Sequence, residues 1–140
     1  SEGSRRALQI FEMMKAIVDS GASSHFVHGA VPLDDVTPGV AVVATATGAP
    51  EKVLEKGDCF PLKEARKVSK FERPLVSVAR LVEQFGTVNF DVNGVNVVSK
   101  LPRGGQHSTK IGELTKGKLY SFDLRALSKH ASFVAQASAA

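Results

Sequence analysis

Cysteine, tryptophan and long apolar runs are scarce in this sequence of 140 residues. Cys59 is the single cysteine, which excludes an internal disulfide framework and a zinc knuckle built on cysteines. No apolar stretch approaches the roughly 20 residues that a membrane-spanning helix needs. Glu12 and Lys15 interrupt the apolar stretch near the N-terminus, which is unlike a secretory signal. We therefore expect a cytoplasmic protein with no membrane contact.

Concentrated positive charge is also missing. The chain has 18 Lys and Arg residues against 14 Asp and Glu residues, a net charge of +4, and no run of five or more basic residues. Nucleic-acid-binding domains commonly gather their basic residues on one face or stripe. Here they are scattered, and the basic segment 63–73 is typical of a solvated surface. We expect that this domain does not bind nucleic acid directly.

Aromatic residues are few, so valine and alanine supply most of the apolar side chains, and valine favours strands. The spacing of Val78, Leu81, Val82 and Phe85 predicts a helix that stops at Gly86. The Gly-rich segment 102–110 is predicted to be a loop, and 130–140 a short helix or a tail. A mostly β fold with one or two short helices follows, with strands predicted at 16–18, 40–47, 51–60, 88–90, 95–98 and 118–124.

One short motif carries chemistry. Two apolar residues, Ile17 and Val18, lead into Asp19-Ser20-Gly21-Ala22, the signature of aspartic proteases. The chemistry needs a carboxylate at a tight turn that a peptide can approach, which explains Gly21 two residues after Asp19. The backbone N–H groups of such a turn can hydrogen-bond the carboxylate, and the small side chain of Ala22 leaves room behind it.

The chain holds only half of the catalytic apparatus that this motif implies. Aspartic proteases use two carboxylates that share one proton, because two like charges about 3 Å apart cannot both ionise. A second Asp-Ser/Thr-Gly is missing, since the sequences that follow Asp91 and Asp123 lack both the hydroxyl residue and the glycine. The single motif predicts a two-fold symmetric homodimer in which each chain contributes Asp19.

The extended run Val18-Asp19-Ser20-Gly21-Ala22-Ser23-Ser24-His25 resembles the protease region of copia-type retrotransposon (Pseudoviridae) polyproteins. Further matches follow in the family's order: Ala44-Thr45-Ala46-Thr47-Gly48 with Val53 and Gly57, then Pro74-Leu75-Val76-Ser77-Val78-Ala79-Arg80-Leu81, then short stretches at 88–90 and 117–120. The resemblance covers roughly residues 16–124. The departures are Lys15 and Ala16 where the family usually has a bulky residue, and Val76 where it has a leucine.

The resemblance implies a retropepsin-like fold, a closed β-barrel with one or two short helices. It implies a protease domain over 16–124, an N-terminal segment 1–15, and a C-terminal tail or short helix over 125–140. The hairpin within 40–60 would be the flap that closes over substrate. Leu75, Val76 and Val78 would be core residues beside the active site.

These motifs predict an aspartic endopeptidase that cleaves its parent polyprotein inside virus-like particles, without a cofactor or metal. Asp19, Ser20 and Gly21 are the predicted catalytic residues. The residues predicted to bind substrate are Ala22, Thr45, Ala46, Thr47, Gly48 and Gly57.

Several alternatives stay open. The first is an inactive, domesticated copy that serves as a dimerisation or interaction module. The second is a monomer that dimerises only within a larger precursor. His25 has a hydrogen-bonding role or a direct catalytic one, with the structural role favoured. A nucleophilic site made of Ser23, Ser24 and His25 is disfavoured because adjacent side chains rarely align for catalysis and a third partner is missing.

Overall fold

Strands predominate in the computed structural model, which describes residues 5–6, 15–39, 42–44, 50–69, 71 and 73–139. The element bounds are β1 (Ala16–Asp19), β2 (Phe26–His28), β3 (Asp34–Pro38), β4 (Val42–Ala44), β5 (Pro50–Lys52), β6 (Glu55–Cys59), β7 (Leu62–Val68), β8 (Leu75–Ser77), α1 (Val78–Phe85), β9 (Thr87–Asp91), β10 (Gly94–Lys100), β11 (Gln106–Leu114), β12 (Tyr120–Phe122) and α2 (Leu124–Ala139). The mostly β class predicted from the sequence is confirmed.

Local sequence signals account for the best-predicted elements. Helix α1 begins after Ser77, whose hydroxyl accepts a hydrogen bond from the Arg80 N–H, and it ends at Gly86, where φ is 111°. Both are ordinary helix boundaries, because a serine satisfies a free N–H of the first turn and glycine tolerates positive φ. Strands β9 and β10 form a hairpin whose turn ends at Gly94, with φ of 123°, as the Asn93-Gly94 pair predicts.

Ten strands form one sheet in the order β3-β6-β7-β2-β8-β1-β12-β11-β10-β9, and β4 pairs separately with β5. This order has two ends, so the sheet is open in the described part of the chain, and the predicted closure into a barrel is not seen there. Strand β1 lies inside the sheet, parallel to β8 and antiparallel to β12. Both sides of the strand that carries Asp19 are therefore occupied.

Some segments differ from their predicted structure. The predicted loop 102–110 ends early, because β11 begins at Gln106 and pairs with β10 along its length. The predicted return strand 51–60 is divided: β5 pairs with β4, whereas β6 pairs with β3 and β7. A further strand, β3, precedes Gly39 in a segment bracketed by Pro32 and Pro38, residues typical of loops. In each case, tertiary pairing stabilises residues whose own pattern is weakly strand-like.

Helix α2 packs on the sheet through Leu124, Leu127, His130 and Ala131. The buried apolar residues form one core cluster that contains members of β1, β8, β10, β11 and both helices. The residues 125–139 are thus packed against the domain over 16–124. None of the described helices is both long and apolar enough to cross a membrane.

A buried histidine fastens α2 to the sheet. The Ser99 hydroxyl donates to the Phe85 carbonyl at 2.6 Å, so it accepts from Nε2 of His130 at 2.8 Å. The Thr109 hydroxyl then donates to the other ring nitrogen, Nδ1, at 2.7 Å. Burial, and next the nearby His107, lower the pKa of His130, which favours this neutral and fully bonded ring.

Candidate active site

The Asp19 carboxylate lies at the point where β1 ends and a tight turn begins. Its Oδ1 accepts a hydrogen bond from the Gly21 N–H at 2.8 Å. A Cβ atom at Gly21 would lie 3.3 Å from this same oxygen, so a larger residue there would crowd the carboxylate. Asp19 and Ala22 are partly buried, whereas Ser20 and Gly21 are exposed. The predicted motif therefore presents a carboxylate on a turn that another molecule can reach.

Strand β8 lies between β1 and β2, so the turn that joins β1 to β2 crosses over the end of β8. Ser77 is the parallel partner of Asp19, and Leu75 is the antiparallel partner of Phe26. The Asp-Ser-Gly-Ala turn and the Leu75–Ser77 strand, about 55 residues apart in the chain, thus form one unit. Of the predicted core residues beside the site, Val76 is fully buried, whereas Leu75 and Val78 are partly buried.

Ser77 holds the turn in place with both its side chain and its backbone. Its hydroxyl donates to the Ala22 carbonyl at 2.6 Å, while its N–H donates to Nδ1 of His25 at 3.0 Å. The same hydroxyl accepts the Arg80 N–H at 3.2 Å as the cap of α1. One serine thereby joins the Asp19 turn to the start of a helix.

His25 is fully buried. Because Nδ1 accepts a hydrogen bond, the neutral ring carries its proton on Nε2, and that atom has no hydrogen-bond partner in the described part of the chain. Burial, and next the charge of Arg80, lower the pKa of His25 to about 4. The ring therefore supports the turn from behind, which favours the structural role over the catalytic one.

Arg80 adds an outer connection. Its Nε donates to the Ser23 carbonyl at 3.0 Å, and its Nη1 donates to Glu64 at 2.8 Å with Glu83 at 3.6 Å. Because this ion pair is largely exposed, its contribution to stability is small. Arg80 contributes mainly to geometry, because its planar guanidinium connects the turn, α1 and β7 at fixed distances.

The residues of the predicted flap are only partly accounted for. The β4–β5 pair supplies a short hairpin in the predicted place, but Thr45, Ala46, Thr47 and Gly48 lie outside the described residues. Gly57 is buried in β6, separated from β1 by β7, β2 and β8 in the sheet. A Cβ atom there would lie 2.7 Å from the Asp34 carbonyl oxygen, so the close backbone approach at Gly57 is to β3.

Other chemistries have little support in this region. No group of three or more His, Cys, Asp or Glu side chains among the described residues is arranged to hold a metal ion. Cys59 is buried, and burial together with Asp58 and Asp34 raises the pKa of its thiol to about 12. The buried thiol is therefore unreactive at neutral pH, because the thiolate is the reactive form.

The catalytic role of Asp19, Ser20 and Gly21 stays a prediction from the sequence, which missed the contacts that Ser77 and Arg80 make with this turn. The available signal was local: a serine directly before a helical pattern is a strong cap candidate. Comparisons with protein-family models, curated proteins and solved structures found no match for this chain. The functional conclusion therefore rests on the residues and their geometry.

Proposed function

We propose that this chain is one half of a homodimeric aspartic endopeptidase of the retrotransposon type. One observation carries the proposal: a single accessible carboxylate, Asp19, ends an internal strand and is held on a Gly-containing turn by Ser77. An ordinary surface turn has no need of such support. An active site does, because a catalytic group must stay in its productive geometry.

The chemistry requires two copies of Asp19. With the carboxylates about 3 Å apart, one proton is shared, so one carboxylate is charged and the other is neutral. The charged carboxylate takes a proton from a water molecule, and the neutral one hydrogen-bonds the scissile carbonyl oxygen and polarises it. The water oxygen then adds to the carbonyl carbon, and the peptide bond breaks as the amine leaves with a proton.

The proposal extends to the fold. A strand inserted between β1 and β2, so that the catalytic turn crosses its end, supports a retropepsin-like architecture. The closed barrel belongs to this proposal, with the β4–β5 hairpin as the flap. An extended peptide would bind between the hairpin and Asp19 through strand-like hydrogen bonds. The parent polyprotein is the substrate that the resemblance favours, cleaved within virus-like particles.

Asp19→Asn is the variant that tests the proposal. We expect it to abolish cleavage of a peptide library or of the parent polyprotein segment, because an amide cannot take the proton of the attacking water. Asp91→Asn is the matched control, since Asp91 also accepts an N–H two residues on, at 2.8 Å, but is not in the motif. The measurement is the initial rate at mildly acid and neutral pH, with and without pepstatin.

Loss of cleavage in Asp19→Asn and in pepstatin, but not in Asp91→Asn, would support the protease. If the wild-type chain forms a folded dimer that cleaves nothing under any of these conditions, the enzyme proposal fails. The chain would then be a dimerisation or interaction module. Sedimentation of Asp19→Asn shows whether the variant still dimerises. A variant that has lost only the chemistry of a protease keeps the dimer intact.

A further inference from the structure

Exposed apolar side chains flank Asp19 on one face of the sheet. Ala16 and its partner Phe122 are buried on the core face, so Ile17 and Ser121, the next pair, lie on the opposite face. Asp19 shares this outer face with Ile17, because side chains two residues apart on a strand point the same way. Ile17 is 40% exposed even though its strand lies in the middle of the sheet.

Leu119 completes this surface. Ile17 pairs with Ser121, and continuing this register by two residues brings Leu119 opposite Asp19. Leu119 is 68% exposed, and its backbone carbonyl accepts the Thr115 N–H at 2.8 Å, which fixes its position at the start of β12. The continued register thus places a large apolar side chain, open to water, next to the candidate catalytic residue.

The required positions of the two Asp19 carboxylates indicate what covers this apolar surface. Two Asp19 carboxylates about 3 Å apart must lie on either side of a two-fold axis. Neighbouring strands are about 4.8 Å apart, and residues two apart on one strand are about 6.6 Å apart. Leu119 and Ile17 are therefore within roughly one side-chain length of Asp19, too near the axis to stay in water once the second chain is in place.

We infer that the outer face of β1 and β12, with Leu119 nearest the axis and Ile17 beside it, is the surface on which a second copy of this chain docks. This inference rests on the proposed dimeric protease and names its contact. The partner completes the site because it brings the second Asp19. Strand β1 is paired on both sides, so the contact is made by side chains on a face and does not extend the sheet through β1.

Opposite charges at position 119 test the inference. In a two-fold interface, residues near the axis meet their own copies. Leu119→Asp and Leu119→Lys should each weaken the dimer by about 100-fold, since two leucines are lost and each contributes about tenfold. An equimolar mixture of the two variants should recover dimers, because Asp then faces Lys. Val36→Asp is the matched control, an exposed valine on the edge strand β3.

The readouts are sedimentation over a concentration series, with affinity tags to identify mixed dimers, and cleavage by the same samples. Circular dichroism and the urea midpoint establish that each variant is folded. Weak dimers for both Leu119 variants, recovery of dimers and cleavage in the mixture, and a wild-type result for Val36→Asp would support the inference.

Three results would overturn it. If Leu119→Asp dimerises as tightly as the wild type, or if the mixture recovers nothing, the contact lies elsewhere on the chain. Cleavage that still depends on Asp19 would then leave the proposed function intact. A wild-type chain that stays monomeric at every concentration and cleaves nothing would remove both proposals together.

Discussion

A buried imidazole stands behind the turn that carries Asp19. His25 is shielded from solvent and uses Nδ1 to accept the Ser77 N–H, so its neutral form is the one that fits. Protonation would turn that acceptor into a donor and would bury a positive charge near Arg80. The contact between His25 and Ser77 therefore holds the Asp19 turn best when His25 is uncharged.

The stability of the fold should consequently depend on pH. The pKa of His25 is lowered from 6.5 to about 4, so below pH 6.5 the unfolded chain binds a proton before the folded chain does. The stabilisation is present in full above pH 6.5 and is lost as the pH falls towards 4. The loss reaches about 3 kcal/mol, from about 1.4 kcal/mol per pKa unit. Urea unfolding at a series of pH values measures it.

His25→Asn provides the control for this prediction, because asparagine offers an acceptor and does not titrate. Its free energy of unfolding will be lower at neutral pH, since the smaller side chain leaves a cavity. The informative quantity is the change in the free energy of unfolding with pH between 4 and 6.5, which should be smaller in the variant. An unchanged slope would mean that another group, such as His130, is responsible.

At this scale, the sequence suggests a candidate site but not the residues that hold it in place. Asp19, Ser20 and Gly21 were identifiable as candidates because their types and spacing fit the proposed reaction. The part played by Ser77 was not, because its partners Ala22 and His25 lie 55 and 52 residues away in the chain. A hydrogen bond over such a distance leaves no local pattern, and it becomes visible only when β1 and β8 are paired.

Gly57 is packed against β3, which explains why it is glycine. The sequence had instead suggested a residue that binds substrate. The added Cβ of an alanine would lie 2.7 Å from the Asp34 carbonyl oxygen and 2.9 Å from Cβ of Leu33. These atoms belong to the backbone of β3 and to a side chain beside it, so they cannot move away freely. The position therefore sets how closely β3 and β6 can pack.

Gly57→Ala should accordingly destabilise the fold. We expect the free energy of unfolding to fall by about 1–3 kcal/mol, the usual cost of overpacking. Gly117→Ala is the control, because the nearest atom to its added Cβ is Thr115 Oγ1 at 3.9 Å. Its effect should stay within about 0.5 kcal/mol. Equal losses in the two variants, measured by urea unfolding, would contradict the packing argument.

The elements that follow from the sequence are those with their own boundary signals. Helix α1 has an amphipathic spacing and Gly86, and the β9–β10 hairpin has Asn93-Gly94. Strand β11 has no such signal, because Gln106 to Lys110 is polar and the apolar Ile111 stands alone. Its strand conformation comes from pairing with β10 and β12. Long-range pairing of this kind is what single-sequence patterns lack.

The sequence resemblance implies a closed barrel, and the described residues form an open sheet instead. Among the described strands the sheet ends at β3 and β9, each of which pairs with one neighbour there. Asp35 and Pro38 on β3 discourage further strand pairing, since a charged residue and a residue without an N–H both blunt an edge. This favours a dimer contact through the face around Asp19.

A protease that needs two chains should lose specific activity on dilution. Below the dissociation constant of the dimer, the dimer concentration varies with the square of the chain concentration, so tenfold dilution lowers specific activity about tenfold. Initial rates over a dilution series measure this effect. Two copies joined in tandem by a flexible linker form the control, because linkage replaces the chain concentration with a fixed effective concentration. Constant specific activity in the unlinked chain, down to concentrations where only monomers sediment, would contradict a shared site.

The residues that hold Asp19 in place are synthesised long after Asp19 itself. Ser77 and Val76 must be made before β8 can separate β1 from β2, and Phe122 must be made before β12 can pair with Ala16. Contacts between residues so distant in sequence also form slowly. For most of its synthesis the nascent chain therefore carries the aspartate without the geometry around it. In the proposed protease, this order of synthesis keeps the candidate site incomplete until nearly the whole domain has been made.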